Sequence, residues 1–313
     1  MAHILVTGAL GQIGSELVPA LQAQYGRENV VTLDMKSQPA GFAARHEVAK
    51  LPAKAVLARV IKKHRIDTVY HLVSLLSATG EKDPSYTWYL NVQSLKDVLD
   101  LAVEHKLKIF WPSSIAAFGP TTPHDQTPQH TVLAPTTMYG VTKAAGELLC
   151  QYYFLKYGVD VRSVRYPGVI SAEALPGGGT TDYAVAIFYE VLKTGQYECY
   201  LKPDSMLPMI YMADAMRATI QLMEADPQQL TIRTSYNLAG VSFTPAELVS
   251  EIQQHLPLKV SYKSDSRQAI ADSWPNSIDD SVARKDWGWR HEYDLPRLTT
   301  TMLEKLRVKL GVK

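Results

Sequence analysis

The stretch His3-Ile4-Leu5-Val6-Thr7, followed at once by Gly8-Ala9-Leu10-Gly11-Gln12-Ile13-Gly14, constrains this chain more than any other. A short apolar run, a glycine turn and the amphipathic segment Ile13–Leu21 read as a buried strand, a tight turn and a helix. The glycines divide the work. One permits the turn, one lets backbone approach a pyrophosphate, and one lets the helix sit close on the sheet. Backbone N–H groups at the new helix N-terminus then face negative phosphates. Glycine turns also end ordinary strands. It is the placement between strand and helix that points to a bound dinucleotide, held by Gly8, Gly11, Gln12, Ile13 and Gly14.

The second strand-like run, Val30-Val31-Thr32-Leu33, ends on Asp34, at the distance where a carboxylate meets an adenosine ribose. Asp34 would accept from the ribose hydroxyls and repel a 2′-phosphate, which favours NAD over NADP, although Lys36 would soften that preference. The competing reading is a solvated aspartate at a strand end.

Strand and helix patterns alternate from here: helix Pro52–His64, strand Thr68–Leu72, helix Pro84–His105, strand Lys108–Trp111, helix Met138–Tyr157 and strand Val161–Arg165. This is the pattern of an α/β chain with a doubly wound parallel sheet. Beyond Pro167 the pattern changes. Pro176-Gly177-Gly178-Gly179 is a turn or loop, and Thr180–Thr194 is helical. Met209–Tyr211, the helix Ala213–Met223 and Tyr236–Leu238 read as returns to the main sheet. Thr244–Leu256 and Ile278–Lys313 read as a smaller helical cap. The expected division is a dinucleotide-binding domain over 1–169, with returning segments at 206–240, and an interleaved substrate-binding cap over 170–205 and 241–313.

Tyr139-Gly140-Val141-Thr142-Lys143 places a phenol and an ammonium four residues apart, on one face of a helix. A nearby cation favours the phenolate and should lower the Tyr139 pKa towards working pH, making it a general base for an alcohol proton. The same spacing occurs at Tyr152 and Lys156 and at Tyr189 and Lys193, so placement has to separate them. Ser114 ends a strand and Tyr139 opens the next helix, so both fall where open α/β sheets gather ligands. There Ser114 would hold a substrate oxygen against Tyr139.

Thr7-Gly8-x-x-Gly11-x-x-Gly14, Ser113-Ser114-Ile115-Ala116-Ala117-Phe118-Gly119 and Tyr139-x-x-x-Lys143 resemble the extended short-chain dehydrogenase/reductase superfamily. Leu75–Glu81, Arg165–Gly168, Gly177–Tyr183, Arg267–Pro275, Asp279-Asp280 and Asp286–Trp289 resemble, within it, the short-chain family of L-threonine 3-dehydrogenases. The resemblance implies a Rossmann-type sheet and oxidation of the threonine β-hydroxyl to 2-amino-3-oxobutanoate, with hydride passing to NAD. Tyr139 would take the proton, Ser114 would orient the oxygen, and Lys143 would hold the nicotinamide ribose. The family often has threonine where Ser114 stands, and either hydroxyl serves. The implied cofactor set also takes in Leu72 and Tyr166.

A zwitterionic amino acid needs partners for both its charges. Ser77 and Thr181, in two of the matched loops, are the expected substrate contacts, with Thr180 as competitor for the second. Trp274 either closes over the substrate or anchors the cap. His71 reads as a satisfied sheet-end histidine, Asn91 as a relay or a polar-face residue, and Trp287 and Trp289 as packing. His124 and His130 do not make a metal site.

Two rivals remain at this stage. A nucleotide-sugar epimerase or dehydratase would need cations in the cap pocket, where Arg267 is the one candidate. A non-catalytic NAD sensor would have no use for Ser114, Tyr139 and Lys143 together.

Composition bounds the rest. Among 313 residues the net charge is +1 with 20% charged and 46% hydrophobic residues, which gives no argument for nucleic acid and suits an ordinary soluble globule. No run approaches a membrane span. The early first strand leaves no room for a targeting peptide, and Cys150 and Cys199 read as buried thiols, so a cytoplasmic setting is expected. The helices Pro84–His105 and Met138–Tyr157 are the expected faces of a homodimer, although Leu148–Tyr157 suits a core equally.

Overall fold

The computed structural model describes residues 2–39 and 45–312. Its main sheet is built from β1 (Ile4–Thr7), β2 (Val30–Asp34), β3 (Arg45–Val48), β4 (Thr68–His71), β5 (Lys108–Phe110) and, after a short β6 (Ser113–Ser114), β7 (Val161–Arg162). Six of these run parallel in the order β3-β2-β1-β4-β5-β7. The order reverses beside β1, and ligands of doubly wound sheets bind outside the strand ends at that point.

Helices cover both faces, so β1, β2 and β4 are buried throughout. Alternation sorts their side chains. Ile4 and Val6 join the core under α1 (Gln12–Tyr25), whereas Leu5, Val31 and Leu33 join the core under α2 (Lys54–His64).

After β4 come α3 (Ser77–Gly80) and α4 (Pro84–Trp88). The helical run then opens into a π-turn, Tyr89–Gln93, and continues as α5 (Ser94–His105). The helix expected over Pro84–His105 is therefore present, with an irregularity at Asn91. Helix α6 (Met138–Tyr157) has its expected bounds and starts where Thr137 caps it, the hydroxyl accepting from Gly140 N at 3.1 Å.

Pro167 then separates β8 (Val164–Tyr166) from β9 (Gly168–Ile170). Next come α7 (Tyr183–Thr194), β10 (Gln196–Cys199), β11 (Leu207–Tyr211), α8 (Met212–Glu224), β12 (Tyr236–Asn237) and β13 (Val241–Phe243). Tyr236–Asn237 does not join the six-stranded sheet as expected but pairs with β8 in a three-stranded sheet ordered β12-β8-β6. Met209–Tyr211 does not join the main sheet either. It lies in β11, between β9 and antiparallel β13, in a separate three-stranded sheet. Its apolar run is buried in either setting, and burial alone does not choose between sheets.

The chain ends with α9 (Pro245–Gln253), β14 (Lys259–Tyr262), α10 (Arg267–Ala271), α11 (Ser281–Trp287) and α12 (Leu295–Leu310). Helices α7, α9 and α12 share one core with Trp274. Ala283 and fully buried Trp289 pack instead with Ile4, Tyr70 and Phe110 beneath the main sheet. The tryptophans Trp287 and Trp289 are thus packing residues.

Candidate active site

Two adjoining hollows lie along the carboxyl ends of the central strands and share Leu72 and Ser74. The first, about 140 Å³, is bordered by Gln12, Ile13, Ser77, Ser114, Tyr139, Lys143, Tyr166, Thr180, Thr181 and Trp274. The second, about 310 Å³, is bordered by Gly8, Gly11, Asp34 and Lys36. Every residue expected to bind cofactor or substrate borders one hollow or the other, except Gly14. A Cβ on Gly14 would stand 2.6 Å from the carbonyl oxygens of both Gly8 and Ala9, so this glycine seats α1 against the strand.

The glycine turn is built for an anion. Gly8 adopts φ +69°, and Gly11 caps α1 without any side-chain bond, leaving the first N–H groups of a fourteen-residue helix facing the cleft. Asp34 borders the second hollow and holds the turn's backbone, accepting from Leu10 N at 3.0 Å and Lys36 N at 3.1 Å. A dinucleotide laid across Leu72 and Ser74, with its pyrophosphate on α1 and its adenosine by Asp34, fits these residues.

Two chain segments meet at the other hollow. Ser114 ends β6 and caps the turn after it, accepting from Ala116 N at 3.2 Å. Tyr139 occupies the first turn of α6, and its hydroxyl is hydrogen-bonded to Ser114. Lys143, one turn on, donates to the Pro112 carbonyl at 2.6 Å, and its Nζ lies 5.4 Å from the Tyr139 ring centre.

The titration expected of this pair is not what the geometry produces. Burial pushes the Tyr139 phenol up to about 12, against the pull of the Ser114 hydrogen bond. The same enclosure pushes Lys143 down to about 7, with Cys150 and Glu147 opposing. Burial thus disfavours the charged form of both groups, and for the phenol it outweighs the Ser114 hydrogen bond.

Other residues fall into place around this centre. His71 is fully enclosed, bonded to Thr7 at 2.7 Å and Ser94 at 3.1 Å; burial and Lys143 push it down to about 3, so it is a neutral structural histidine. Asn91 clamps the loop beside the cleft. Its side chain accepts from Leu75 N at 2.8 Å and donates to Leu75 O and to Thr142 Oγ1, each at 3.1 Å. The hydroxyl of Tyr166 is bonded to Thr219 and is committed there. Trp274 combines its two readings, since it lines the cleft and belongs to the cap core. Among the described residues no group of three or more His, Cys, Asp or Glu is placed to hold a metal ion.

Residues 4–239 match the NAD dependent epimerase/dehydratase family. The chain belongs to that family. It is 48% identical over 305 residues to the mitochondrial L-threonine 3-dehydrogenase of Bos taurus, covering 96% of this chain and 82% of the bovine one. The holo form of a GalE-like L-threonine dehydrogenase from Cupriavidus necator is 54% identical, with a TM-score of 0.95 over 97% of this chain and 99% of its own. A monomeric L-threonine 3-dehydrogenase from a metagenome is 45% identical, with a TM-score of 0.96 over 98% and 99%. The resemblance read from the motifs is borne out along nearly the whole chain, and with it the Rossmann-type α/β fold.

Behind the cleft this family member keeps a buried polar network that its sequence did not disclose. Glu147, one turn after Lys143, receives Ser113 Oγ at 2.6 Å and the Arg165 guanidinium at 2.9 and 2.8 Å. Arg165 also donates to Gln129 O and Asn237 Oδ1. Asp182 was missed as well, and it accepts from the N–H groups of both Gly178 and Gly179 at 2.8 Å. An aspartate three residues after a glycine run is a capping signal that would have found it. Ser74, immediately before the matched stretch Leu75–Glu81, borders both hollows although no role was expected of its side chain.

Proposed function

We propose that this protein oxidises the β-hydroxyl of L-threonine, with NAD as its cofactor. The observation that carries the reading is the meeting of Ser114, Tyr139 and Lys143 with Ser77, Thr181 and Trp274 in one hollow, beside Gln12 and Ile13 at the start of α1. NAD supplies the hydride acceptor. Gly8, Gly11, Gln12, Ile13, Leu72 and Tyr166 would hold its central part, and Asp34 its adenosine ribose.

Ser114 and Tyr139 bracket the substrate hydroxyl, and Tyr139 Oη takes its proton. Because burial holds that phenol neutral in the free protein, it first releases its own proton to bulk water once positive charge in the filled cleft favours phenolate, and the phenolate then accepts the substrate proton. Lys143, fixed on Pro112 O, presents its remaining N–H bonds to the ribose side. Ser77 and Thr181 meet the substrate's charged ends, and Thr180, whose hydroxyl is buried without a partner, competes for the second role.

The nucleotide-sugar reading loses its support here. Arg267, the cation it needs, does not border the hollow and is paired with Asp265.

Assay of NADH formation from L-threonine, with L-allo-threonine, L-serine and NADP in parallel and Tyr139→Phe as control, tests the reaction. NAD-dependent turnover lost in the variant supports it. Tight NAD binding with no amino acid oxidised overturns it.

We propose further that 1–169 with 206–240 carries the cofactor, while 170–205 and 241–313 close over the substrate, footed on the sheet by Trp289. A homodimer is also proposed. Leu148, Tyr152 and Leu155, the last 73% exposed, form a stripe on α6 that the chain's own core does not cover. Light scattering of the wild type and Leu155→Glu tests it, and a monomeric wild type ends it. No helix among the described residues is long and apolar enough to cross a membrane. Two buried free thiols, Cys150 and Cys199, suit the cytoplasm, where fractionation should place the protein.

A further inference from the structure

We infer that Tyr200 is a positioning residue for the substrate pocket, tying the turn that bears Thr180 and Thr181 to the helix that delivers Trp274. The inference rests on the reading above, in which these residues face the substrate.

Tyr200 follows β10, outside the cleft. Its hydroxyl donates to two carbonyl oxygens, Gly179 at 3.2 Å and Thr180 at 3.3 Å. These lie at the entry to the 3₁₀ turn Thr180–Asp182, whose residues line the hollow. One face of the Tyr200 ring is covered by the Arg267 guanidinium, whose carbon is 3.1 Å from the ring centre, and Tyr183 meets the ring edge-on at 6.4 Å. Arg267 is itself clamped: its Nε donates to both Asp265 oxygens, at 3.1 and 3.0 Å. It opens α10, and the chain runs from the end of that helix to Trp274.

The two sides of the pocket differ in what else holds them. The Trp274 side is anchored in the cap core and by Gln268, which accepts from Lys202 N at 2.7 Å and donates to Ser205 at 2.9 Å. The glycine run itself has less. A Cβ built on Gly177 or Gly178 would touch nothing within 4 Å, so side-chain packing does not locate this segment. Asp182 closes the turn upon itself, and the Tyr200 hydroxyl links the turn outward. A planar guanidinium held by a carboxylate and stacked on an aromatic face has little freedom, so the ring beneath it is fixed too. Thr181 packs over Gly168 and Tyr183 anchors the far end of the turn in the cap core, and Tyr200 adds the hydrogen-bonded tie between the Thr180–Thr181 wall and the helix that leads to Trp274. Arg267, which in sequence alone resembled a phosphate ligand, has this task instead.

Tyr200→Phe keeps the ring and the stack and deletes both hydrogen bonds, and Arg267→Gln deletes the stack. In Tyr200→Phe, KM for L-threonine should rise about tenfold, as loss of a hydrogen bond or two implies, with KM for NAD unchanged and kcat within about threefold. Amide exchange should quicken in both segments, 177–183 and 267–274, in either variant. A tyrosine that only supports the fold would lower the thermal midpoint and leave KM for threonine where it was. Independent walls would each loosen only under the variant that touches them. Either result overturns the inference. The exchange measurement needs no turnover, so failure of the wild type to oxidise threonine would condemn the reaction assigned above while the coupling of the two segments was still decided.

Discussion

Lys143 on α6 donates to the carbonyl oxygen of Pro112, 2.6 Å away, on the strand end that carries Ser114. Proline has no N–H with which to continue a ladder, and β5 and β6 are separate pieces on either side of Trp111-Pro112. The carbonyl at that gap is the one the lysine uses. Ser114, Tyr139 and Lys143 therefore sit on two elements joined at the reacting centre itself.

The buried ammonium has a thermodynamic signature. Burial pushes Lys143 down to about 7, while an unfolded lysine titrates near 10.4. Between those values the unfolded chain binds more protons, so this residue makes stability rise with pH. The thermal midpoint of the wild type should gain on that of Lys143→Met between about pH 7 and about pH 9. Parallel curves would show that the lysine keeps its proton in the fold.

Tyr139→Phe should lower kcat by about 10²- to 10⁴-fold, the usual weight of a general base, and leave NAD affinity within about threefold. Since burial pushes the phenol up to about 12, a near-ultraviolet titration of cofactor-free protein, wild type minus variant, should show no phenolate below about pH 10. Ionisation near neutrality in the free protein would restore the simpler lysine-activated base.

Arg165→Met strands the fully buried Glu147 carboxylate and should cost about 3–5 kcal/mol in urea unfolding. Adding Glu147→Leu should recover a large part of that loss. A single variant within about 1 kcal/mol of the wild type would mean that other donors can satisfy the carboxylate in place of Arg165.

Asp34→Asn removes the charge and keeps one of the two oxygens, of which Oδ2 accepts from Leu10 N and Oδ1 from Lys36 N, so one of these two hydrogen bonds is lost as well. NAD should bind about tenfold more weakly, and the preference for NAD over NADP should narrow by at least as much. The ratio of kcat/KM for the two cofactors reads this directly; an unchanged ratio would assign Asp34 to the turn alone.

Residues whose placement depends on local order were legible in the sequence. The first strand and glycine turn, Asp34, and the pair Tyr139 and Lys143 follow from period and spacing, and α6 has its expected bounds. Residues whose role depends on distant chain were not. Strand β3, Arg-His-Glu-Val, has only half-buried or exposed side chains and no apolar signal. The parallel pair β10 and β14 joins two segments that are exposed or half-buried apart from Cys199. The lowered Tyr139 pKa expected from Lys143 is opposite to the direction burial gives, because spacing reports the neighbouring charge and says nothing of how much water each group loses. The tyrosine at 200 and the arginine at 267 are 67 residues apart, and nothing local announces their stack.

A π-turn amounts to one additional residue within a helix, and the turn at Tyr89–Gln93 contains the asparagine that clamps Leu75. Deleting any single residue between 89 and 93 would let α4 and α5 merge in regular register, swinging one relative to the other by roughly 100°. Asn91 would then leave the loop beside the cleft, though no amino acid touching a ligand had changed. In this helix the count of residues is as consequential as their identity, and a one-codon gap there should harm binding more than most substitutions on its outer face.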